Sequence, residues 1–489
     1  MPWESGCAFW YSRRPHSRCR YFSVSDAPAD ADFSALPLAP ELLANLEALG
    51  YQRMTPVQAE GLPPMLAGRD LIAQAQTGSG KTAAFGLGLL SRLEVTSFRV
   101  QALVLCPTRE LADQVAEELR RLARLLANVK VLTLCGGAAL GPQLSSLAHG
   151  AHIVVGTPGR VEEHLRKGSL NLRGLETLVL DEADRMLDMG FQTSLEAIVA
   201  ETPPRRQTWL FSATYSEAVK AVAEALLREP ARVEIASTHD AGSIDQRVYR
   251  VADEAARFDA LRRLLLALRP TSSVVFCNTK RETDEVAAAL CDAGFSALAL
   301  HGDLEQADRD RLLVLFANRS ASILVATDVA ARGLDIAALD AVFNYQIARD
   351  LEVHVHRVGR TGRAGDSGVA CTLVSEAESY RLERLVEFLG APLEEATLPP
   401  RSVLEREPAA PPMATLQLGS GKQQKLRPGD ILGALTGEGG ISGDQVGKIK
   451  VLARSAYVAV SREVVEQALV KLSADPLKGR RVRVRRIRH

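Results

Sequence analysis

The chain has 489 residues, of which 46% are hydrophobic and 24% are charged. This length exceeds a single hydrophobic core and predicts about three domains, and the composition excludes an intrinsically disordered chain. The formal net charge is zero, but residues 413–489 hold 15 Lys and Arg against 6 Asp and Glu, so we expect a basic module there that meets a polyanion.

Two further classes are excluded by composition. No apolar run approaches the roughly 20 residues that span a bilayer, so no membrane partner is expected. The seven cysteines form no CxxC pair or zinc-finger spacing. We therefore expect buried thiols in a reducing, cytoplasmic compartment rather than a cysteine metal site.

The first 23 residues differ from the rest of the chain. The apolar stretch CAFWY is too short for a secretory signal. The same 23 residues contain four arginines, Arg13, Arg14, Arg18 and Arg20, and one acidic residue, Glu4. This composition could mimic an organelle transit peptide, but we favour a disordered extension over residues 1–32, part of which could be upstream sequence translated in error. The folded pattern begins near Phe33.

Two regions then alternate short apolar runs with amphipathic stretches. In residues 33–235 the candidate strands are 70–75, 102–107, 131–136, 152–157, 177–182 and 208–213. In residues 243–395 they are 273–278, 297–302, 322–328, 341–346 and 369–374. Apolar strands separated by helices predict a parallel sheet that is covered on both faces. The sequence therefore predicts two tandem α/β domains of similar size.

The last part of the chain follows a proline-rich segment, residues 396–412, which is predicted to be a linker. Residues 413–489 then show the order β-α-β-β-α-β, typical of a small RRM-like α+β domain. The strand that would carry base-stacking rings offers only Tyr457. Any RNA binding by this domain is therefore expected to use charge and shape more than stacking on the sheet.

A phosphate-binding loop is predicted at AQTGSGKT, residues 75–82, because it follows a strand and opens a helix. Its small residues allow backbone amides to surround phosphates, and the helix N-terminus favours negative charge. Lys81 is expected to neutralise the phosphates, and the Thr82 hydroxyl to bind Mg²⁺. Ala75 stands where the general pattern has glycine.

The tetrapeptide DEAD, residues 181–184, directly follows the apolar strand TLVL. At a strand's carboxyl end, Asp181 can hold the Mg²⁺ shell, partly through water, and Glu182 can orient or deprotonate an attacking water. Taken alone, such a segment would be a solvated acidic turn. Its position about 100 residues after Lys81 favours the catalytic interpretation.

An arginine-rich segment, HRVGRTGRAG, lies about 280 residues after the phosphate loop. The spacing of Arg360 and Arg363 suits two guanidinium groups that reach one triphosphate and stabilise the transferring phosphoryl group. The alternative is a basic surface turn, which the glycines between the arginines disfavour. The two elements suggest that one domain binds ATP and the other triggers its hydrolysis. In that arrangement the product of hydrolysis would be a closure of the two domains.

The ordered motifs resemble those of the DEAD-box ATP-dependent RNA helicases over residues Phe33 to Leu389. They are Gln58, AQTGSGKT, PTREL, the pair Gly136–Gly137, TPGR, DEAD, SAT, ATDVAARGLDI and HRVGRTGR. The resemblance implies two tandem RecA-like parallel-sheet domains that bind ATP and Mg²⁺. One departure is Gln346, where family members often have Asp, and this puts the local interdomain hydrogen bonding in doubt.

The resemblance also assigns roles around the nucleotide. Tyr51 is expected to stack on adenine, Gln58 to recognise the adenine edge, and Asp335 to reach the ribose. The phosphate loop contributes Ala75, Gln76, Thr77, Gly78, Ser79, Gly80, Lys81 and Thr82. The residues expected to couple the ATP site to the interdomain contact are Asp184, Ser212, Thr214 and His356.

For RNA, the resemblance points to turns at strand carboxyl ends, where amides and hydroxyls can hold phosphates and sugar 2′-hydroxyls favour RNA over DNA. The implied residues are Pro107, Thr108, Arg109, Gly137, Thr157, Gly159, Arg160, Gly302, Arg309 and Thr327. Residues from Met413 resemble the RNA-binding module of DbpA-type helicases, which directs them to large-subunit ribosomal RNA. Its candidate contacts are Lys422, Lys425, Arg427, Lys448, Lys450 and Arg454. The run RVRVRRIRH could instead be a charged strand edge that prevents aggregation.

The resulting hypothesis is a monomeric, RNA-stimulated ATPase that locally unwinds short duplexes in large-subunit assembly, with pre-ribosomal particles as partners. Two alternatives stay open. One is a general RNA-decay helicase whose last domain binds any RNA, and the other is an ATP-gated RNA clamp that does not unwind. A DNA helicase is disfavoured by the close resemblance to the DEAD-box class.

Overall fold

The computed structural model describes residues 32–75, 78–235, 244–331, 339–362 and 368–487. The chain divides into two compact units, Met1–Ser237 and Thr238–His489. Among the residues described, none of the helices combines the length and apolar character that crossing a bilayer requires.

The first unit is built on a seven-stranded parallel sheet in the order β3-β4-β2-β5-β6-β1-β7. Its strands are β1 (Leu71–Gln74), β2 (Ala102–Leu105), β3 (Val131–Leu134), β4 (Ile153–Gly156), β5 (Thr177–Leu180), β6 (Gln207–Ser212) and β7 (Ala231–Glu234). The first five lie within the predicted runs, and the sixth begins one residue before its predicted run. The seventh, ARVE, was not predicted, because as an edge strand it buries only Val233 and lacks a continuous apolar run.

Nine helices cover both faces of this sheet in the described residues. They are α1 (Pro40–Ala48), α2 (Pro56–Leu66), α3 (Lys81–Leu90), α4 (Arg109–Leu122), α5 (Leu140–Ala148), α6 (Pro158–Arg166), α7 (Ala183–Asp188), α8 (Gln192–Ala200) and α9 (Glu217–Leu226). Successive strand residues point to opposite faces, so Val104 belongs to one apolar cluster and Leu103 and Leu105 to the other. Two cores therefore sandwich the sheet.

The second unit repeats this plan with the strand order β10-β11-β9-β12-β13-β8-β14. Its strands are β8 (Ile244–Val251), β9 (Ser273–Cys277), β10 (Ala297–Leu300), β11 (Ile323–Thr327), β12 (Ala341–Asn344), β13 (Gly368–Ser375) and β14 (Glu394–Glu395). Its helices are α10 (Glu254–Leu268), α11 (Lys280–Asp292), α12 (Gln306–Ala317), α13 (Asp328–Ala331), α14 (Leu351–Val358) and α15 (Ser379–Leu389).

The proline-rich segment 396–412 lies against this second sheet domain. Val403 is buried in the same apolar cluster as the strand residues Val275 and Phe343. The Arg263 side chain on α10 donates from Nε to the Pro399 carbonyl at 2.6 Å. The segment is therefore packed along α10 instead of running free through solvent.

The small last domain has the predicted order β-α-β-β-α-β. Its elements are β15 (Met413–Leu418), α16 (Pro428–Thr436), β16 (Val446–Val451), β17 (Ala456–Ser461), α17 (Val465–Ala474) and β18 (Val484–Arg486). The sheet is antiparallel in the order β16-β17-β15-β18, and the side chains of one face, including Leu416 and Val458, pack with α16 and α17. The predicted fold class, two parallel-sheet α/β domains followed by a small α+β domain, is therefore confirmed.

The opposite face of this small sheet is covered by the second parallel-sheet domain. Tyr457 and Ile487 belong to the same buried cluster as Val274 and Phe276. The Tyr457 side chain, the ring considered for base stacking, is left only 5% exposed. This burial closes the sheet face around Tyr457 to a base.

Buried hydroxyl and amide groups complete this contact. The Thr415 hydroxyl accepts a hydrogen bond from Asn318 Nδ2 at 3.1 Å and lies 2.6 Å from the Ser320 hydroxyl. All three side chains are buried. Buried polar groups cost free energy unless they are paired, so this cluster fixes where β15 sits.

We expect Thr415→Val to loosen the small domain, because it removes the hydroxyl that accepts from the buried Asn318 amide and contacts the Ser320 hydroxyl, at a cost of about 1–3 kcal/mol. Hydrogen exchange of the β15 amides should become about tenfold faster for each 1.4 kcal/mol lost. Thr436→Val is the control, since this exposed hydroxyl bonds only to the Leu432 carbonyl within α16. Unchanged exchange in β15 would show that the cluster does not hold the domain.

Candidate nucleotide and RNA sites

The carboxyl edge of the first sheet separates the candidate residues into two groups. The phosphate loop follows β1, DEAD follows β5 and SAT ends β6, and these three strands are neighbours in the order β5-β6-β1. The candidate RNA residues follow the other three neighbours, β3, β4 and β2. Loops after adjacent parallel strands lie side by side, so one edge carries both groups.

The phosphate loop has the backbone geometry that its glycines allow. Gly78 and Gly80 adopt φ angles of +89° and +92°, which side chains disfavour. Lys81 begins α3 and is 6% exposed, and its ammonium donates to the Ala75 carbonyl at 2.6 Å. Thr82 follows in the first turn of α3. The predicted loop residues Gln76 and Thr77 lie outside the described residues.

The DEAD segment buries three charged side chains at the end of β5. Asp181 and Glu182 are 3% and 4% exposed. Glu182 adopts a left-handed backbone with φ of +52°, and its carboxylate accepts from Arg185 Nη1 at 2.8 Å. The sequence did not single out Arg185; its position three residues after Glu182, on the first turn of α7, was the available signal. A strained backbone together with buried charges is typical of a functional site.

Asp181 differs from Glu182 in its partners. Within the described part of the chain, Asp181 Oδ1 has no hydrogen-bond partner. Burial raises the pKa of the Asp181 carboxyl to about 7, although the Lys81 ammonium opposes the shift. A buried carboxyl with an unused oxygen can take up either a proton or a cation.

Asp184 joins the DEAD segment to the SAT segment. Its Oδ2 accepts from the backbone N–H groups of Ala213 and Thr214 at 3.2 and 3.0 Å, and from the Thr214 hydroxyl at 3.2 Å. The Asp184 N–H donates to the Ser212 hydroxyl at 3.4 Å. The structure thus brings together three of the predicted coupling residues. The fourth, His356, lies on α14 in the second unit.

Of the two residues predicted to hold adenine, one contacts the phosphate loop. Gln58 Nε2 donates to the Gly80 carbonyl at 3.1 Å, and its Oε1 accepts from the Thr55 N–H at 2.9 Å. The Tyr51 hydroxyl instead donates to Glu118 on α4 at 2.8 Å. Tyr51 is therefore anchored by α4, and Gln58 by the loop.

The RNA candidates of the first unit lie at the starts of α4 and α6 and in the Gly136–Gly137 turn that follows β3. The Thr108 hydroxyl caps α4 by accepting from the Leu111 N–H at 3.3 Å, and Pro107 and Arg109 flank it. The Gly136 N–H donates to the Thr157 hydroxyl at 3.4 Å.

At Gly136 and Gly159, no neighbouring atom in the described part of the chain explains why the residue is glycine. A Cβ at Gly136 or Gly159 would meet nothing within 4 Å, and of these turn glycines only Gly137 needs a positive φ, at +71°. Glycine at an open position leaves room for another molecule to approach the backbone.

In the second unit the candidate RNA residues again lie near the carboxyl ends of two neighbouring strands, β10 and β11. Gly302 follows β10 and Thr327 ends β11, while Arg309 on α12 donates to the His301 carbonyl at 3.5 Å. Arg360 follows α14 and is 5% exposed. The predicted residues Asp335 and Arg363 lie outside the described residues.

The guanidinium of Arg357, which the sequence did not single out, holds this part of the second unit together. It donates to both Asp328 oxygens at 2.5 and 2.8 Å, to Asn278 Oδ1 at 2.8 Å and to the Gln346 carbonyl at 2.8 Å. Its spacing from buried His354 on α14 was the one available signal. The Gln346 side chain donates to Glu282 at 2.6 Å, so an Asp at this position would set two carboxylates against each other.

The basic candidates of the small domain are all exposed, and four of them meet at one end of its sheet. The loop with Lys422, Lys425 and Arg427 is joined to the turn with Arg454 by backbone bonds from Lys422 and Gln423 to the carbonyls of Leu452 and Ala453. Lys478, which sequence reasoning missed, joins them by donating to the Lys425 carbonyl at 2.7 Å. Lys448 and Lys450 lie on the edge strand β16.

Comparisons with known proteins agree with this geometry. Family models described as DEAD/DEAH box helicase, helicase conserved C-terminal domain and DbpA RNA binding domain match residues 55–222, 256–365 and 415–486. The ATP-dependent RNA helicase DbpA of Escherichia coli (strain K12) is 52% identical over 448 residues, which cover 92% of this chain and 97% of that protein.

A second relative and a solved structure extend the comparison. The DEAD-box ATP-dependent RNA helicase CshA of Bacillus cereus is 44% identical over 353 residues, 72% of this chain and 67% of that protein. The structure of S. cerevisiae Dbp5 bound to RNA and ADP BeF3 is similar with a TM-score of 0.67 and 32% identity, covering 75% of this chain and 95% of that one. The chain therefore belongs to the DEAD-box ATP-dependent RNA helicases, with a DbpA-type RNA-binding domain at its end.

Proposed function

We propose that this helicase is an RNA-stimulated ATPase that locally unwinds short duplexes during assembly of the large ribosomal subunit. The observation that carries the coupling of ATP to RNA is the pairing of β2 with β5, in which Leu105 lies opposite Leu180. The RNA candidate Thr108 follows β2 and Asp181 follows β5. We propose that a shift of either loop affects the other across this pair of hydrogen-bonded strands.

The ATP site is proposed to use the residues at the ends of β1 and β5. Lys81 neutralises phosphate charge, and the buried Glu182 orients or deprotonates the attacking water. Within the described residues, Gln58 keeps one amide hydrogen and one oxygen lone pair beyond its two bonds, a donor and an acceptor that match the edge of adenine. Arg360 and Arg363 are proposed to stabilise charge on the transferring phosphoryl group.

The residues present fit a Mg²⁺ ion. Mg²⁺ usually takes one or two carboxylates and binds substrate phosphates and water through its other positions. Asp181, with its buried unpaired oxygen, and the Thr82 hydroxyl would hold it. The cation would neutralise developing charge on the phosphates. It would also displace the proton that burial favours on Asp181.

The small domain is proposed to recognise 23S ribosomal RNA through its exposed basic residues. Two observations support this: the sheet face around Tyr457 is covered, and Lys422, Lys425, Arg427 and Arg454 converge at one end. Basic side chains bind the RNA backbone through charge and shape. We propose a monomer that works in the cytoplasm on pre-ribosomal particles.

We expect Glu182→Gln to lower the ATPase kcat by about 10²–10⁴-fold while ATP and RNA still bind, because only the water-activating carboxylate is removed. The variant should accumulate as a complex with ATP and RNA, measured by filter binding. Glu201→Gln, an exposed carboxylate in the same unit, serves as the control. Parental turnover in Glu182→Gln would overturn this assignment.

We expect Arg360→Ala to reduce ATP turnover by about 10³-fold or more, the usual effect of losing an arginine that contacts the transferred phosphoryl group. The measurement is single-turnover ATP hydrolysis at saturating RNA. Arg349→Ala, exposed in the same unit, should hydrolyse ATP normally. Equal rates in the two variants would remove Arg360 from the mechanism.

We expect Asp181→Asn to stabilise the nucleotide-free protein as the pH rises. The folded protein holds a proton on Asp181 up to a pKa of about 7, whereas the unfolded chain loses it near pH 4. The parent therefore loses stability as the pH rises from about 4 to about 7, and the Asn variant does not. The melting temperature of the variant should gain about 2–4 °C per kcal/mol on the parent over this range. Identical pH profiles would show that Asp181 is not held neutral.

We expect large-subunit ribosomal RNA to stimulate the ATPase at a lower concentration than poly-U of equal length, because the small domain adds contacts to the former. The double variant Arg427→Ala, Arg454→Ala should lose this preference and keep the response to poly-U. Arg349→Ala, Arg384→Ala removes equal charge from exposed positions elsewhere. Equal stimulation of the parent by both RNAs would favour a general RNA helicase. A duplex-release assay would identify a clamp that does not unwind.

A further inference from the structure

A buried amide on α5 connects the candidate RNA residues of the first unit. Gln143 is 8% exposed, and its Nε2 donates to the Cys135 carbonyl at 3.1 Å, directly before the Gly136–Gly137 turn. Its Oε1 accepts from Arg160 Nη1 at 2.9 Å and lies 2.9 Å from His164 Nε2. The amide thus links the turn after β3 to the arginine of TPGR on α6.

The His164 side chain contacts the oxygen of this amide. It is fully buried on α6, and its Nδ1 lies 2.8 Å from the Ser169 hydroxyl. Because Gln143 Oε1 is an acceptor, His164 Nε2 carries the hydrogen of this bond. Burial, with the Arg160 charge nearby, lowers the pKa of His164. A neutral ring with its hydrogen on Nε2 therefore faces the amide.

The contacts leave one end of the Arg160 guanidinium for a ligand. Nη1 donates to Gln143 and to the Ala138 carbonyl, and Nε lies 3.0 Å from Glu163. Within the described residues, Nη2 makes no hydrogen bond, so its two N–H groups remain. An arginine held through Nε and Nη1 presents Nη2 in a fixed direction, and the two N–H groups of Nη2 can donate to phosphate oxygens.

We propose that Gln143 and His164 are positioning residues for RNA binding, which hold Arg160 and the Gly136–Gly137 turn in the arrangement that one RNA phosphate group requires. This inference rests on the proposed RNA role of Arg160. Gln143 fixes the guanidinium and the turn with one amide, and His164 fixes the orientation of that amide. Losing either one frees the Arg160 side chain to adopt other rotamers, and the cost of ordering it is then taken from RNA affinity.

The test is RNA binding and RNA-stimulated ATP hydrolysis by the full chain. Gln143→Met keeps the volume of the side chain and removes its hydrogen bonds. We expect the Kd for labelled single-stranded RNA, measured by fluorescence anisotropy with a non-hydrolysable ATP analogue, to rise about tenfold. The KM for RNA should rise equally while kcat at saturating RNA stays within about twofold. Gln192→Met, an exposed glutamine on α8, is the matched control.

A double-mutant cycle separates positioning from a separate contact. If Gln143 acts through Arg160, then Gln143→Met in an Arg160→Met background should weaken RNA binding by less than about twofold. Full additivity would overturn the proposal. His164→Gln, whose amide can replace the Nε2 donor, should bind RNA more tightly than His164→Leu. Equal loss in both would show that bulk, not the hydrogen bond, matters.

The outcomes also separate this inference from the proposed function. If Arg160→Met weakens RNA binding and Gln143→Met does not, only the positioning role is wrong. If Arg160→Met itself leaves RNA binding unchanged, the RNA role of TPGR and this inference both fall. A drop in kcat with an unchanged KM for RNA would likewise contradict positioning.

Discussion

The pairing of parallel strands constrains the rest of this molecule. Because every strand of the first sheet ends at one edge, the loops after β1, β5 and β6 and those after β3, β4 and β2 form two neighbouring groups. β2 is hydrogen-bonded to both β4 and β5, and so it is the strand at which the two groups meet. The second sheet has an equivalent order. The loops that carry the candidate nucleotide residues and those that carry the candidate RNA residues are therefore neighbours on a single sheet.

Burying charged groups at this edge costs free energy, and such clusters of buried charge are typical of functional sites. Lys81, Asp181 and Glu182 are almost fully buried, where an unpaired charge would cost several kcal/mol. Glu182 is compensated by Arg185, whereas Asp181 is left with an unpaired oxygen and a raised pKa. Among these three residues, Asp181 is thus the one whose charge is least compensated in the described part of the chain. Arg357 differs from Asp181, because its guanidinium donates to four acceptors and its charge is therefore compensated. These bonds give Arg357 a structural role in the second unit.

The small domain uses its sheet for attachment. Its inner face packs on its own helices, and the face with Thr415, Tyr457 and Ile487 lies against the second parallel-sheet domain. The basic residues are left at one end and on the edge strand. An RNA element held there would be carried by the same compact unit as β8 to β14. The attachment therefore gives the domain a fixed place without occupying its charged surface.

The sequence by itself determined eleven of the fourteen strands of the two parallel sheets, their alternation with helices, and the order of motifs, because buried parallel strands are continuous apolar runs and glycine-rich loops have few alternative uses. It did not show β7, which buries a single residue, β8, whose apolar residues are interrupted by polar ones, or β14, which consists of two exposed residues. Only the tertiary structure decided which partners the polar side chains take: Tyr51 on Glu118, Gln346 on Glu282, and Gln143 between Arg160 and His164. Such pairs join residues 17 to 67 positions apart, and no local periodicity records them. Tyr457 makes the same point, since an aromatic residue on a small sheet suits either a base or a neighbouring domain, and the packing of the folded chain selects the second.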